Sequence, residues 1–237
     1  MPTRSGLTVT ALCFLAALNC QAGPERTPGA GGMPAMKRVL ILGNSITLHG
    51  PSAQVSWTGN WGMAASAADK DYVHLLIEGL TQRLGERPET MVRNIATFER
   101  EHATFNIAEG LREEIGFGAD TVVLAIGENV PALKTPEEQK AFRDALAKLL
   151  ATLRQKSNPA FYVRSCFWAD SVKDKILKDV CDEFGGVFVD IGALGKDEKN
   201  FARSERKYEH DGVAGHPGDR GMKAIADAIL DTMFPKP

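Results

Sequence analysis

Arg38-Val-Leu-Ile-Leu-Gly-Asn-Ser-Ile-Thr47 is the stretch on which the reading of this chain turns. An apolar run of strand length stops at Gly43, and after Asn44 stands Ser45. A buried strand that ends at a glycine and then presents a serine puts that hydroxyl at the carboxyl end of a sheet. In open α/β folds this is where ligands and chemistry collect. The same pattern also opens ordinary helices, with the serine as N-cap, so the remainder of the chain has to decide.

Outward from that strand, further strand-like runs at 90–95, 121–126, 160–165 and 187–191 alternate with helical patterns. Ser66, with Asp69 three residues on, opens a helix whose apolar face is Val73, Leu76, Ile77, Leu80 and Leu84 and which closes at Gly85. A weaker helix carries Ala108, Leu111 and Ile115 and ends at Gly116. In the clearest one Thr135 is the N-cap, Pro136 takes the first helical position and Glu138 completes a capping box, with Phe142, Leu146, Leu149, Leu150 and Leu153 as the buried stripe. A fourth runs from Ser171 to Gly185, and the last carries Met222, Ile225, Ile229, Leu230 and Met233. Repeated strand–helix alternation with strands apolar throughout predicts a three-layer α/β/α sandwich around a parallel sheet of about five strands.

The 237 residues hold 28 Lys+Arg against 30 Asp+Glu, a net charge of -2 that gives no electrostatic reason to expect nucleic acid as a partner. Gly6 to Leu18 is apolar but too short for a bilayer span, which needs roughly 20 residues, and after Arg4 it reads as the core of a signal peptide. The expectation is a signal peptide over 1–22, a Pro/Gly-rich flexible linker over 23–36 and one domain over 37–237, exported to the periplasm or the exterior, with no stable membrane span. Ala17-Leu18-Asn19-Cys20 offers lipidation at Cys20 as the alternative, though Asn19 fits a lipoprotein box poorly. Cys166 and Cys181 sit at a strand end and about ten residues into the next helix, some ~15 Å apart and beyond disulfide reach. Both are expected as small buried residues.

Four segments converge on one edge of such a sheet: Ser45, Asn94-Ile95-Ala96, Gly127-Glu128-Asn129, and His210-Asp211-Gly-Val-Ala-Gly-His216-Pro217. All strands of a parallel sheet end on the same side, so these segments are neighbours despite their sequence separation. The chemistry they suit is acyl transfer. A serine hydroxyl needs a histidine to take its proton, and the tetrahedral oxyanion needs donors already aimed at it. Those donors would be the backbone N–H groups of Ser45 and Ala96 and the side-chain amide of Asn129. His49 and His210 are rival bases, His74 and His102 read as solvated, and Asp190 ends the fifth strand near the same edge. Between Ile46 and Ser66 a long loop with Trp57 and Trp61 must cross the site. The two rings either pin the loop to the core or wall a substrate pocket.

These blocks, in this order over Arg38 to Phe234, resemble the SGNH (GDSL-type) hydrolase family. The resemblance implies a flavodoxin-like sandwich and a serine esterase or lipase without a metal or other cofactor. It implies Ser45 as nucleophile, His216 as base, and Ser45, Ala96 and Asn129 as the oxyanion hole. The chain departs from the pattern at Asn44, where the family has Asp, at Ala96, where it usually has Gly, and at Val213, three residues before His216, where the family places its acid. Asp211 is the nearest acid, and the glycines at 212 and 215 leave room for a bulge that brings it close. The alternative is a Ser–His dyad with His216 oriented by a backbone carbonyl.

The expected function is therefore an exported ester hydrolase acting on a small-molecule or glycan ester, carbohydrate O-acetyl groups first. A lysophospholipase or thioesterase shares every motif, and a non-catalytic glycan-binding module on the same fold is the rival from another class. Oligomeric state is not legible. Metal and nucleotide motifs are absent, as is the Gly-x-Ser-x-Gly elbow, because Thr47 stands where its second glycine would be.

Overall fold

A computed structural model describes residues 36–235. The expected signal peptide, the possible lipidation site at Cys20 and almost all of the expected linker lie outside the described residues. Met36, assigned to the linker, has its side chain buried in the core.

Five parallel strands make one sheet: β1 (Arg38–Gly43), β2 (Glu89–Asn94), β3 (Thr121–Ala125), β4 (Ala160–Arg164) and β5 (Val187–Val189), in the spatial order β2-β1-β3-β4-β5. That is the flavodoxin-like order, with the direction of winding reversing at β1. The helices are α1 (Tyr72–Leu84), α2 (Ala96–Glu101), α3 (Ile107–Gly110), α4 (Arg112–Phe117), α5 (Pro136–Ser157), α6 (Ser171–Glu183), α7 (Asp211–Ala214) and α8 (Asp219–Met233).

Alternation along the central strands assigns the two faces. Leu40, Leu42, Val122, Leu124, Phe161 and Val163 pack with the buried stripes of α5 and α6. Val39, Ile41, Val123, Ala125 and Tyr162 face the other way, onto α1 and α8. Because side chains alternate across a strand, a strand apolar at every position must be covered on both sides. The three-layer α/β/α sandwich follows.

Two element boundaries depart from expectation. Ser66 does not open α1; its N–H and hydroxyl donate to Asp219 (2.7 and 2.6 Å). The N-cap is Asp71, buried, whose carboxylate accepts the His74 N–H at 2.7 Å and the Gly62 N–H at 2.9 Å. The loop after β1 therefore runs on to Asp71. The weak second helix is two short ones, α3 and α4, and the latter closes on Gly118 rather than Gly116, at φ 64°. A short helix absent from the sequence reading, α2, follows β2 directly. The α5 capping box forms as expected, with Glu138 N–H on Thr135 Oγ1 and the Glu138 carboxylate on the Thr135 N–H.

Cys166 and Cys181 are both buried and unpaired, and burial pushes the Cys181 thiol up to about 11. Among the described residues no helix is long and apolar enough to cross a membrane.

Candidate active site

The site is assembled at the carboxyl ends of β1, β2 and β3. At the end of β1 a Cβ on Gly43 would run into the Thr47 side chain and the carbonyl of Ala125, so only glycine lets the chain turn this tightly against β3. The turn that follows is closed by Thr47 and Leu48 N–H groups on the Asn44 carbonyl (2.9 and 3.0 Å). Asn44 Oδ1 accepts the Ile46 N–H at 3.1 Å. The Ser45 carbonyl is held from the loop by the Met63 N–H at 2.8 Å.

Ser45 Oγ lies 2.8 Å from Nε2 of His216, across 171 residues of sequence. The other ring nitrogen, Nδ1, lies 2.6 Å from the carbonyl oxygen of Gly212. A carbonyl only accepts, so Nδ1 carries the hydrogen and Nε2 is left as an acceptor facing the serine hydroxyl. That is the tautomer a general base requires. Burial lowers the His216 pKa from its ordinary value, against the opposing pull of the Gly212 carbonyl and the Glu128 charge. The imidazole is therefore neutral, and competent as a base, at neutral pH. The Trp168 indole meets its edge at 5.2 Å between ring centroids, and Trp168 Nε1 donates to the Gly215 carbonyl.

Asp211 does not hold the histidine. It is exposed at the start of α7, and among the described residues its side chain makes no hydrogen bond or ion pair. The α7 turn offers a peptide oxygen in its place, because the His216 N–H on the Val213 carbonyl (3.0 Å) folds the ring back over Gly212. Val213, at the family's acid position, is 2% exposed and packs in an apolar cluster with Trp57, Met63, Ala64 and Ala202.

Of the expected oxyanion donors, two are open. The Ser45 N–H meets no acceptor among the described residues, and Asn129 Nδ2 uses one hydrogen on Glu99 Oε2 (2.9 Å) and keeps the second. Ala96 does not match its expected role. Its φ is not positive, so the strain feared for a non-glycine residue is absent, but its N–H donates to Asn94 Oδ1 at 2.9 Å. Asn94 is itself fixed by donating from Nδ2 to the Leu48 carbonyl (2.7 Å).

A cavity of about 320 Å³ opens over this constellation. Ser45, His216, Asn129, Ala96 and Asn94 line it, with Met63, Val55, Arg100, His49 and His210. Trp57 and Trp61 fall outside its lining. Their indole nitrogens donate to the carbonyls of His49 and Ala65, and the rings meet edge to face at 5.6 Å. They pin the loop. The rival bases are placed but not engaged with the serine: His49 Nδ1 is on the Gly50 carbonyl, and His210 Nδ1 accepts the Gly212 N–H as N-cap of α7. Asp190 accepts from Ser165 Oγ, just after β4, and from the Gly192 N–H in its own turn.

Beneath the nucleophile lies a buried polar cluster that the sequence did not reveal. Glu128 accepts from Arg164 Nη1 (2.6 Å), the Phe167 N–H (2.9 Å) and Asn44 Nδ2 (2.7 Å). Burial pushes the Glu128 carboxyl up, but the Arg164 charge and these hydrogen bonds outweigh it and hold the group below the usual carboxylate range. Asn44 Nδ2 also reaches Glu99 Oε1 at 3.3 Å. Asn in the place of Asp has its physical reason here: between two carboxylates an amide donates, whereas a third acid would repel. Nothing in Phe98-Glu99-Arg100-Glu101 distinguishes the buried Glu99 from a solvated charge run, and nothing local to the 160–165 run marks Arg164 as buried and paired. Among the described residues no three His, Cys, Asp or Glu side chains cluster as metal ligands.

No family model matches the sequence. A search of curated proteins finds no match either. Solved structures share the fold, among them two that match over most of both chains. One is described as a GDSL-like lipase from Parabacteroides merdae, with TM-score 0.55 and 16% identity, covering 86% of this chain and 99% of that one. The other, described as a GDSL-like lipase from Bacteroides uniformis, gives TM-score 0.53 and 16% identity over 85% of this chain and 97% of that one. The chain has the three-layer fold of structures described as GDSL-like lipases, the fold implied by its blocks' resemblance to the SGNH (GDSL-type) family.

Proposed function

We propose that the chain is an exported serine ester hydrolase working through an acyl-enzyme, with small acyl esters, carbohydrate O-acetyl groups first, as substrates. The observation that carries this reading is the Ser45 Oγ–His216 Nε2 contact of 2.8 Å, with Nδ1 fixed on the Gly212 carbonyl, at the floor of a cavity. Ser45 attacks the ester carbonyl while Nε2 takes its proton. The oxyanion forms against the Ser45 N–H and the second hydrogen of Asn129 Nδ2. The imidazolium then returns the proton to the departing alcohol, and water, activated by the same nitrogen, releases the acid and restores Ser45. The cavity volume of about 320 Å³ lies at the low end of ligand sites and favours a short acyl group over a long lipid chain. Export rests on the sequence of residues 1–22 alone.

The test is hydrolysis of p-nitrophenyl acetate by the mature protein and by Ser45→Ala, with labelling by a fluorophosphonate probe alongside. Turnover and labelling are expected in the native protein and are expected to vanish together in the variant, with kcat at least about 10⁴-fold lower. A native protein that neither turns over nor labels overturns the reading and leaves the non-catalytic glycan-binding alternative.

A further inference from the structure

Glu99 has no exposed surface, yet it lies on the short helix α2, and the catalytic scheme above does not use it. Its Oε1 accepts the Gly127 N–H at 2.6 Å, the Asn129 N–H at 3.2 Å and Asn44 Nδ2 at 3.3 Å, while Oε2 accepts Asn129 Nδ2 at 2.9 Å. One carboxylate thus ties together the nucleophile turn after β1, the loop after β3 and the helix after β2. We propose that Glu99 is the positioning residue of the oxyanion hole, setting the Asn129 amide so that it offers nitrogen and not oxygen to the developing oxyanion. The proposal rests on the ester-hydrolase reading of the same site.

A side-chain amide has a donating end and an accepting end, and only the donating end stabilises an oxyanion. An ionised carboxylate only accepts, so it draws Nδ2 toward itself and turns Oδ1 away. The hydrogen on Nδ2 that Glu99 does not take is then available to the cavity that Asn129 lines. The main chain is locked by the same group. Gly127 stands at φ 126°, where a Cβ would strike the Cys166 sulfur, and its N–H and that of Asn129 both converge on Oε1. Backbone and side chain of the donor residue are therefore fixed together, before any substrate arrives.

All the hydrogen-bond partners of the Glu99 carboxylate are donors, so its ionised form satisfies every one of these contacts. Burial, first, and the charge of Glu128 hold its carboxyl above the usual carboxylate range, and the bonds from Gly127 and Asn129 offset only part of that rise. The charged or titratable groups around it are Glu128 after β3, Arg164 at the end of β4, paired with Glu128, and His102 on the following turn, whose Nδ1 is on the Glu99 carbonyl. Replacing Glu99 by Gln keeps the size but turns one acceptor oxygen into an NH2 donor facing a ring of donors, which drives the Asn129 amide out of place.

The experiment is a double-mutant cycle on p-nitrophenyl acetate with Glu99→Gln, Asn129→Ala and the two combined, with thermal melting of every variant. Loss of one oxyanion donor costs about 10²–10³-fold in kcat. Glu99→Gln is expected to lower kcat by about 30- to 100-fold with KM within about threefold. The combined variant is expected to be no more than about threefold worse than Asn129→Ala alone, because the residues act as one unit. Glu99→Asp, which keeps the charge, is expected to recover at least about threefold over Glu99→Gln; it also replaces Glu99→Gln in the cycle if the latter does not fold. Multiplying losses, or a Glu99→Gln enzyme within threefold of native, overturn the proposal while the native enzyme's turnover still stands. A native protein without turnover or probe labelling sinks the ester-hydrolase reading, and the role of Glu99 with it.

Discussion

The His216 ring takes its orientation from a peptide oxygen, and that has a kinetic signature. An acid partner contributes both the tautomer and charge stabilisation of the imidazolium, whereas a carbonyl contributes the tautomer and a weaker dipole. With Nδ1 of His216 on the Gly212 carbonyl at 2.6 Å and Asp211 exposed, Asp211→Ala is expected to change kcat by less than about tenfold, or ~1.4 kcal/mol. A loss of several hundredfold in steady-state kinetics would show that Asp211 swings onto the histidine during turnover. Both candidates for Nδ1 were readable from the sequence, since the glycines at 212 and 215 allow either arrangement. The fold of α7 decided between them.

At the scale of elements, the loop between β1 and α1 is held by Asp71, which caps α1 through the His74 N–H and clasps the loop through the Gly62 N–H. Removing such a cap costs about 0.5–2 kcal/mol. Asp71→Ala is expected at the upper end of that range because the Gly62 N–H also loses its partner in a buried place. Ser66→Ala, away from the helix start, is expected at or below about 0.5 kcal/mol. Urea unfolding of both variants checks the order; an equal or larger loss at Ser66 would contradict this account. Sequence placed the cap at Ser66 because Ser-x-x-Asp resembles a capping box. Asp71 carries no such signal, because His74 stands three positions on. The α5 box was legible because Thr135, Pro136 and Glu138 are all local and agree with one another.

For the whole molecule, the central issue is a charge pair under the site. Arg164 and Glu128 are 0% and 2% exposed, joined at 2.6 Å between β4 and the loop after β3. Deleting one member of a buried pair leaves an uncompensated charge and costs about 3–5 kcal/mol. Arg164→Met is expected to lose that much in chemical denaturation, and Arg164→Met with Glu128→Gln to regain part of it. An Arg164→Met protein as stable as native would mean that water or another cation compensates Glu128. The pair sits at the point where the β1, β3 and β4 ends meet, so its loss is expected to disturb the nucleophile turn through Asn44 as well.

The local periodicities of this sequence, apolar strands alternating with one-sided helices, were sufficient to determine the three-layer sheet, its parallel direction and the edge where Ser45, Asn129 and His216 gather. Strand alternation and helical stripes are short-range properties, and burial on both faces admits few arrangements. Only the tertiary structure decided what lies next to what at that edge: a carbonyl rather than Asp211 behind His216, Asn94 on the Ala96 N–H, two tryptophans turned into the loop, and Glu99 buried with donors from three segments. The reason is physical. A polar side chain reads the same in sequence whether water or a distant backbone satisfies it, and the choice is made by packing across separations of tens to hundreds of residues.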